Sequence, residues 1–409
     1  MLKILQICTS VNIGNTGCIA EDVGKVMMEN GHESFIAYGR GNRRSKSQTI
    51  KIGNKIGIYL HVLFTLLFDR HGFASINATR NLVKKLKNLK PDVILLHNIH
   101  GYYLNIRILF NYLEKAGIPV VWTLHDCWSF TGHCTYFDSI GSEKWQIICK
   151  NCPKSRYYPA SCGIDNSKMN FIDKQSLFNA VPDLTLIVPT GWLGKQVSQS
   201  FLKNKRLEII HNGVDGDVFT AMNQLESFKN KHGILQKRIL LGVASIWVKR
   251  KGLADFILLE KIIPKEYRIV LIGLSKNQIR DLPEGMIGIE RTEDILDLAR
   301  WYNTADYFIN PTWQDNFPTT NLEALACGTP VITYATGGSP EAVDTATGIV
   351  VEKGNVAGIW EAILLLEKYN PETLKLHCRQ RALKLFNKED RYHDYLNFFE
   401  GMLLEKLNI

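Results

Sequence analysis

Short, continuous apolar runs alternate with stretches of helical periodicity along the whole chain. Residues 2–8, 91–97 and 307–310 are mostly apolar runs of this kind, and each leads into a polar loop. Residues 19–30 repeat their apolar positions with a helical period and are followed by Gly31, a residue type that favours helix ends. Runs that are apolar at nearly every position, without alternation, indicate parallel strands covered on both faces. The pattern therefore predicts the α/β class, with doubly wound, Rossmann-like sheets.

Two series of strands and helices can be distinguished, and a polar segment separates them. A chain of 409 residues has room for roughly two to three domains. Residues 221–237 are largely polar, and a new strand–loop–helix series begins after them at Arg238. We therefore predict a first domain over residues 1–205 and a second domain over residues 206–387.

The composition is that of a globular protein, with 45% apolar and 22% charged residues. The formal net charge of +9 suits anionic partners such as nucleotide sugars, lipid pyrophosphates or an acidic membrane surface, and we expect no nucleic-acid partner. Residues 1–9 lack the features of a signal peptide, and no run reaches the roughly 18 apolar residues of a membrane span. We therefore expect a cytoplasmic protein. The helix predicted at 56–68 fits either packing on a sheet or a position at a membrane interface.

A cysteine-rich insertion is predicted at residues 127–165, where five of the nine cysteines lie within a loop-like stretch. Four of them could supply the thiolates of a structural zinc site, and two of these form a C-x-x-C pair. The four are Cys134, Cys149, Cys152 and Cys162. Reduced thiols and a disulfide remain open alternatives, because the spacing is not that of a double C-x-x-C.

The segment after residues 307–310 carries the candidate chemistry. Asp315 lies in a polar loop, and Glu323 lies eight positions further on, in a helix that we predict to begin at about Thr320. Between them, Phe317, Thr319 and Thr320 place backbone N–H groups at a helix N-terminus, which carries about half a positive charge. Such an end, flanked by two carboxylates, predicts a site for sugar hydroxyls and a pyrophosphate.

This segment resembles the signature of the retaining GT-B glycosyltransferases of family 4. The signature is an acidic residue, seven residues, Glu, and then an Ala-x-Ala-x-Gly-x-Pro-Val string, which here is residues 324–331. Gly337, Gly338 and Glu341 complete it. The first acid is usually Glu and is Asp315 here. The resemblance implies two Rossmann-like domains facing each other across a cleft, with a C-terminal helix at 388–409 that crosses back to the first domain.

The resemblance also implies roles for residues of both domains. Glu323 would bind the ribose hydroxyls, and Asp315 would bind the donor sugar. Arg250 and Lys251 would hold the diphosphate, since an arginine expected further upstream is replaced by Ser245 or Ile246. The remaining donor-binding positions would be Asn316, Phe317, Pro318, Thr319 and Thr320, together with Gly14, Gly17 and Gly273.

His125, which ends a predicted strand and precedes Asp126, would line the reacting face. With Asp315, Lys251 and Arg250 it makes up the predicted catalytic set. No carboxylate is placed as a covalent nucleophile, so we expect attack of the acceptor from the face of the leaving phosphate. The resemblance implies catalysis without a cofactor or metal ion, and the insertion adds only the candidate structural zinc.

The implied partners are a nucleotide-sugar donor, linked to UDP or GDP, and a saccharide or lipid-linked acceptor. The implied setting is the synthesis of bacterial surface polysaccharide, such as lipopolysaccharide or O-antigen, with peripheral contact to the inner membrane. Two other functions remain open at this point. One is a nucleotide-sugar 2-epimerase of the same architecture, and the other is a non-catalytic, metal-bearing interaction protein.

Overall fold

The structure, a computed structural model, describes residues 1–137, 141–153, 155–223 and 225–407. Four residues of the predicted insertion and the last two of the helix predicted at 388–409 lie outside the described residues. Of residues 406 and 407 only the backbone is described.

The chain forms two compact units. Unit 1 comprises Met1–His211 and Tyr392–Ile409, and unit 2 comprises Asn212–Arg391. The units therefore change after residues 211 and 391, whereas the sequence pattern placed these boundaries after residues 205 and 387.

Unit 1 is built on a sheet of seven parallel strands in the order β3-β2-β1-β4-β5-β6-β7. The strands are β1 (Lys3–Cys8), β2 (Glu33–Tyr38), β3 (Gln48–Lys51), β4 (Val93–Leu96), β5 (Val120–Thr123), β6 (Leu184–Val188) and β7 (Arg206–Ile209). The helices are α1 (Gly14–Glu29), α2 (Lys55–Phe68), α3 (Ile76–Leu89), α4 (Ile106–Ala116), α5 (Lys144–Ile147), α6 (Ser167–Ala180) and α7 (Gly191–Ser198).

Two apolar layers cover the two faces of this sheet. Ile4 and Val93 pack in one cluster with residues of α1. Leu5 and Ile94, their neighbours along the same strands, pack in another with residues of α3 and α4. Because successive strand residues point to opposite faces, strands covered on both sides are apolar at most positions.

Unit 2 contains a sheet of six parallel strands in the order β10-β9-β8-β11-β12-β13. The strands are β8 (Arg238–Val243), β9 (Tyr267–Ile272), β10 (Met286–Ile289), β11 (Tyr307–Asn310), β12 (Val331–Tyr334) and β13 (Gly348–Val351). The helices are α8 (Glu226–Lys231), α9 (Leu253–Glu260), α10 (Lys276–Arg280), α11 (Ile295–Thr304), α12 (Thr319–Ala326), α13 (Val356–Leu366) and α14 (Pro371–Phe386). A last helix, α15 (Lys388–Leu407), begins in unit 2, and its residues from Tyr392 onward belong to unit 1.

The predicted α/β fold with two doubly wound, Rossmann-like sheets is confirmed. Two local predictions were wrong. The first helix begins at Gly14 rather than at residue 19, so that Gly14 and Gly17 lie in its first turns. The basic stretch around Gln48–Lys51, expected to be a loop, contributes the polar edge strand β3, which pairs with β2.

Both strand orders contain a point where the direction of winding reverses. In unit 1 this point lies between β1 and β4, and in unit 2 it lies between β8 and β11. Loops at the carboxyl ends of such strand pairs diverge to opposite faces and leave a crevice, which is where open α/β sheets bind ligands. A ligand site in unit 2 is therefore expected among the residues that follow β8 and β11.

Candidate active site

The loops that follow β8 and β11 meet through an ion pair. Lys251 Nζ lies 2.6 Å from Asp315 Oδ2, and both side chains are largely buried. Arg250 Nη1 lies 4.0 Å from the same carboxylate oxygen and donates a hydrogen bond to the carbonyl oxygen of Gln314 at 2.9 Å. Two cations and one carboxylate therefore lie together at the winding-reversal point of unit 2.

Two glycines allow this close approach. Gly252 has a φ of +77°, and a Cβ atom there would lie 2.2 Å from the carbonyl oxygen of Pro311. Gly337 has a φ of +57°, and its Cβ would lie 1.8 Å from the carbonyl oxygen of Asp315. Because a side chain at either position would clash with backbone, both positions require glycine. The Gly337 of the sequence signature thus shapes the loop that carries Asp315.

Backbone and side-chain hydrogen bonds hold the loop that carries Asp315 in place. The Trp313 N–H donates to the carbonyl oxygen of Arg250 at 2.8 Å. Asp255 accepts from Trp313 Nε1 at 2.9 Å and from the Tyr334 hydroxyl at 2.8 Å. Asp255 is a positioning residue that the sequence analysis missed, since a single acid on a predicted helix carries no recognisable signal.

The start of α12 presents the second part of the candidate site. Pro318 precedes the first helical residue, Thr319, and both threonines of the first turn are partly accessible. Phe317, in contrast, is 4% exposed, and its carbonyl oxygen accepts from Asn212 Nδ2 at 3.3 Å. The Phe317 side chain therefore belongs to the core, and only its backbone is available for a donor-binding role.

Glu323 lies on α12, one turn into the helix. Its Oε2 accepts a hydrogen bond from the Tyr302 hydroxyl at 2.8 Å, and burial raises the pKa of its carboxyl group. Tyr302 is buried on α11 and was not predicted as part of the site. It fixes the orientation of the one carboxylate that the sequence assigned to ribose.

A buried amide and hydroxyl network ties α12 to the sheet. Asn310 Nδ2 donates to Asn321 Oδ1 at 2.7 Å, and Asn321 Nδ2 donates to Ser339 Oγ at 2.9 Å. Thr333 lies 2.7 Å from the same serine oxygen. These four side chains hold β11, β12 and the first turns of α12 in register, so the helix N-terminus is fixed relative to Asp315.

Gly273 follows β9, the neighbour of β8. Its φ is +97°, and a Cβ atom there would lie 1.7 Å from the carbonyl oxygen of Ala244. The loops after β8 and β9 therefore touch at the same edge of the sheet, and the glycine is needed for that contact.

His125 lies in unit 1, just after β5, in a chain of hydrogen bonds. His125 Nε2 lies 3.1 Å from His97 Nδ1, and His97 Nε2 lies 3.0 Å from Gln6 Oε1. Gln6 Nε2 donates to the carbonyl oxygen of Ala20, so its Oε1 accepts from His97. His97 Nδ1 is then the acceptor for His125 Nε2–H, and Nδ1 is the unprotonated nitrogen of His125. Burial lowers the pKa of His125 to about 4.

Asp126, next in the chain, pairs with a different histidine. Its Oδ2 lies 2.8 Å from His100 Nε2, and its Oδ1 accepts from the Trp128 N–H at 2.9 Å. The pKa of Asp126 is lowered although burial opposes this, because His100 stabilises the carboxylate. His97 and His100 follow β4, whose polar carboxyl end was the sequence signal that could have identified them.

The predicted residues thus fall into two sets, one in each unit. Arg250, Lys251 and Asp315 form a direct cluster in unit 2. The other predicted residues of unit 2 lie on α12, in the loop before α12, or in the loop after β9. Unit 1 holds His125, together with Gly14 and Gly17 at the start of α1. Gly14 is open, whereas a Cβ atom at Gly17 would lie 3.0 Å from the Ser10 oxygen atoms.

Two of the four predicted zinc ligands lie close together in the cysteine-rich insertion. Cys134 Sγ and Cys152 Sγ lie 3.5 Å apart, whereas Cys162 is exposed and its N–H donates to the carbonyl oxygen of Leu66. Among the described residues, no three His, Cys, Asp or Glu side chains are arranged to hold a metal ion. The zinc site predicted at Cys134, Cys149, Cys152 and Cys162 stays a prediction. Metal analysis of the purified protein would test it.

The chain is similar to known proteins in both sequence and structure. The family model for Glycosyltransferase Family 4 matches residues 19–218, and the model for Glycosyl transferases group 1 matches residues 237–368. The chain is 24% identical over 425 residues to the putative colanic acid biosynthesis glycosyl transferase WcaC of Escherichia coli K12, covering 98% of this chain and 100% of that protein. It is 25% identical over 229 residues to the capsular polysaccharide biosynthesis glycosyltransferase CapM of Staphylococcus aureus, covering 51% and 60%.

Solved structures with the same architecture include sucrose-phosphate synthase from Thermosynechococcus elongatus, with a TM-score of 0.72 and 15% identity over 99% of this chain and all of that one. Another is Anabaena HepE in complex with UDP, with a TM-score of 0.69 and 12% identity over 98% of this chain and all of that one. The two Rossmann-like units and these matches define a glycosyltransferase with the GT-B fold. The two family models together cover most of both units, so the chain carries a Glycosyltransferase Family 4 domain followed by a Glycosyl transferases group 1 domain.

Proposed function

We propose that this glycosyltransferase moves a sugar from a nucleoside diphosphate sugar to a hydroxyl group of a saccharide, with retained anomeric configuration. The proposed setting is bacterial surface polysaccharide synthesis, since the relative that matches the whole chain is named for colanic acid and another for capsular polysaccharide. UDP is the preferred nucleotide in this proposal, because HepE was solved with UDP and with UDP-glucose.

The observation that carries the proposal is the contact between Lys251 and Asp315 at the winding-reversal point of unit 2. The ammonium group and the neighbouring Arg250 guanidinium would bind the donor diphosphate, together with the N–H groups at the start of α12. As the bond between the anomeric carbon and the phosphate oxygen breaks, negative charge grows on that oxygen. Fixed cations next to it stabilise the transition state more than the ground state.

The carboxylates would bind the neutral parts of the donor. Glu323, held by the Tyr302 hydroxyl, would accept hydrogen bonds from the ribose hydroxyls. Asp315 would accept from hydroxyls of the donor sugar while its Oδ2 holds Lys251 in place. One residue would thus connect recognition of the sugar to the position of the diphosphate cation.

Retention follows in this proposal from attack on the face that the diphosphate leaves. The acceptor oxygen forms the new bond to the anomeric carbon, and its proton passes to the departing phosphate oxygen. His125 would serve as a neutral hydrogen-bond acceptor through Nδ1, because burial lowers its pKa to about 4. No metal ion or cofactor takes part in the proposed step.

The acceptor in this proposal is a saccharide or a lipid-linked oligosaccharide, as in lipopolysaccharide or O-antigen synthesis, at the cytoplasmic face of the inner membrane. The structure describes no helix that is both long enough and apolar enough to cross a bilayer.

The test is a panel of UDP- and GDP-sugars, with release of the free nucleotide as the readout. We expect slow donor hydrolysis without acceptor for one donor, and its loss in Asp315→Ala and Lys251→Ala. Lys249→Ala, an exposed lysine in the same turn, is the matched control and should keep the activity. Release of a 2-epimerised sugar, or no binding of any nucleotide sugar, would overturn the proposal.

A further inference from the structure

Two cysteines of the insertion, Cys134 and Cys152, bring their sulfur atoms into contact. The two Sγ atoms lie 3.5 Å apart although 18 positions separate the residues in the chain. Neither residue is part of a disulfide in this structure. A disulfide bond is about 2.05 Å long, so the sulfur atoms need to approach by only about 1.5 Å to form one. We name these two thiols the Cys134–Cys152 pair.

Backbone hydrogen bonds anchor both members of the pair. The carbonyl oxygen of Cys134 accepts from the Thr131 hydroxyl. The Cys152 N–H donates to Asp165 Oδ2 at 2.7 Å, and Asp165 Oδ1 accepts from the Ser167 N–H at the start of α6 at 2.8 Å. The two sulfur atoms are therefore brought together by an anchored backbone.

The other three cysteines of the insertion are placed differently. Cys127 and Cys149 pack with the apolar core of unit 1. A Cβ atom at Gly132 would lie 2.7 Å from Cys149 Cβ, so Cys149 lies directly against the backbone of that glycine. Cys162 is exposed, and over the part of the chain that the structure describes no third ligand completes a metal site with the pair. The structure therefore sets the pair apart from the other thiols.

The two members of the pair differ in their exposure to solvent. Cys134 is 8% exposed, whereas Cys152 is partly exposed. A reagent from solvent therefore reaches Cys152 first, and Cys134 is already in contact with that sulfur atom. Thiol–disulfide exchange requires this arrangement, because one sulfur must meet the incoming disulfide and a second must then displace the leaving thiol.

We propose that the Cys134–Cys152 pair is a thiol-modification site that reacts with small-molecule disulfides such as glutathione disulfide and closes to a disulfide bond. The Cys152 thiolate attacks one sulfur of glutathione disulfide, and one glutathione thiolate leaves. The Cys134 thiolate then attacks Cys152 Sγ, and the second glutathione leaves. The two thiol protons pass to the two glutathione molecules, so the protein loses two electrons and glutathione disulfide gains them. Excess reduced glutathione reverses both steps.

The bond would close a ring of 19 residues, counted from residue 134 to residue 152. Because ring closure removes conformational entropy from the unfolded chain, the oxidised chain should have a Tm higher by about 5 °C. Beyond the ring, the insertion leads to Tyr158, whose hydroxyl lies 3.2 Å from His100 Nδ1. The bond would thus restrain the segment that reaches the partner of Asp126.

This inference goes beyond the transfer reaction and does not depend on it, since the product is a covalent bond that is detected without any sugar. The test is incubation of the reduced full chain with about 5 mM reduced glutathione and about 0.5 mM glutathione disulfide. Isolated thiols stay mostly reduced in this buffer, whereas a pair in contact closes. We expect the number of thiols that react in denaturant to fall from nine to about seven, and dithiothreitol to restore it.

Peptide mapping identifies the two sulfur atoms that are joined. Trypsin cleaves after Lys150, so Cys149 and Cys152 fall in different peptides. The expected product is peptide 151–154 linked to peptide 116–144. Because the second peptide also contains Cys127, fragmentation of the linked product must place the bond at Cys134.

Serine variants supply the matched comparison. Cys134→Ser and Cys152→Ser should each lose the linked product and the difference in Tm between the oxidised and reduced chains. Cys162→Ser, at an exposed cysteine of the same insertion, is the control and should keep both. Far-UV circular dichroism checks that each variant is folded.

The proposal is overturned if all nine thiols persist in the oxidising buffer, if the bond joins Cys152 to Cys149, or if Cys162→Ser loses the linked product. It is also overturned if the freshly purified chain carries a stoichiometric zinc ion and forms the bond only after a chelator removes the metal. The thiols would then be metal ligands.

Discussion

Lys251 Nζ and Asp315 Oδ2 lie 2.6 Å apart although 64 positions separate the two residues in the chain. Lys251 follows β8 and Asp315 follows β11, and these strands are neighbours in the sheet of unit 2. The carboxylate holds the ammonium group in place and limits the reorganisation needed when a phosphate oxygen arrives. This pair is the point on which the proposed chemistry depends.

Removing either partner should damage catalysis in different ways. Lys251→Ala should lower kcat/KM by about 10²- to 10³-fold, because the leaving diphosphate loses a fixed cation. Asp315→Asn should lower it by about 10²-fold and also raise KM for the donor, because sugar recognition and lysine position are both lost. Steady-state kinetics measures kcat/KM and KM for both variants, with the donor identified among the UDP- and GDP-sugars. Equal kcat/KM for native chain and Lys251→Ala would contradict the assignment, and Lys249→Ala is the control.

Gly337→Ala should disturb the loop that carries Asp315. The alanine must adopt a φ of +57° and must also displace the Asp315 carbonyl, which would lie 1.8 Å from its Cβ. Gly233 offers a matched control, since its φ is +65° and no atom would lie within 4 Å of a Cβ added there. Positive φ alone costs about 1–2 kcal/mol for alanine, so Gly233→Ala reports the strain without the clash.

Thermal unfolding and UDP titration distinguish the two glycine variants. Gly337→Ala should lower Tm further than Gly233→Ala and should weaken UDP binding at least about tenfold. Equal effects of the two variants would show that the contact between Gly337 and Asp315 does not shape the site.

The pH profile should contain no ionisation of His125 near neutrality. Burial lowers its pKa to about 4 from 6.5, so the folded protein keeps this ring neutral above about pH 5. His125→Gln should therefore lower kcat/KM without changing the shape of its pH dependence between about pH 5.5 and 8. A step near pH 6.5 that is present in the native enzyme and absent from the variant would disprove this.

The stability of unit 1 should rise with pH because of Lys174. This buried lysine donates to the carbonyl oxygens of Trp128 at 2.8 Å and Thr131 at 3.1 Å, and burial lowers its pKa to about 7 from 10.5. Between these values the unfolded state binds more protons than the folded state. Lys174 therefore makes a contribution to the free energy of unfolding that increases with pH, by up to about 1.4 kcal/mol per pH unit. Above about pH 8.5 the cysteines whose pKa burial raises, such as Cys8 and Cys149, act in the opposite direction.

Lys174→Met should remove this contribution, whatever its effect on stability at a single pH. Urea unfolding of native chain and variant at several pH values between about 7 and 8.5 gives the two slopes. Lys168→Met, at an exposed position of the same helix, is the control and should keep the native slope. An unchanged slope in Lys174→Met would show that the lysine titrates alike in both states.

The sheets could be predicted from the sequence because strands covered on both faces are mostly apolar, as Tyr307, Phe308 and Ile309 of β11 are. The edge strand β3 escaped prediction because its exposed residues are polar and its pairing with β2 depends on the tertiary structure. The start of α1 at Gly14 was not predicted for a related reason. Glycine disfavours helices, but a Cβ atom at Gly17 would lie only 3.0 Å from the Ser10 oxygen atoms, so a larger residue would be crowded there.

The candidate site was predictable as a set of residues but not as a set of contacts. Asp315, Glu323 and Lys251 were identified because their spacing resembles a family signature. The contact between Lys251 and Asp315 depends on the order of strands in the sheet, which cannot be read from the sequence. Asp126 was identified with its neighbour His125, but its partner is His100 on another loop. Asp255 carried no signal, because its role follows from where Trp313 and Tyr334 lie.

The division of α15 between the units has a consequence for biosynthesis. Tyr395 and Phe399 are buried in the core of unit 1, and the Tyr395 hydroxyl lies 3.2 Å from Thr123 Oγ1 on β5. The ribosome makes these residues after all of unit 2. The amino-terminal unit must therefore wait, with part of its sheet uncovered, until unit 2 has been translated, and a stop codon within unit 2 would also harm the unit that had already been made.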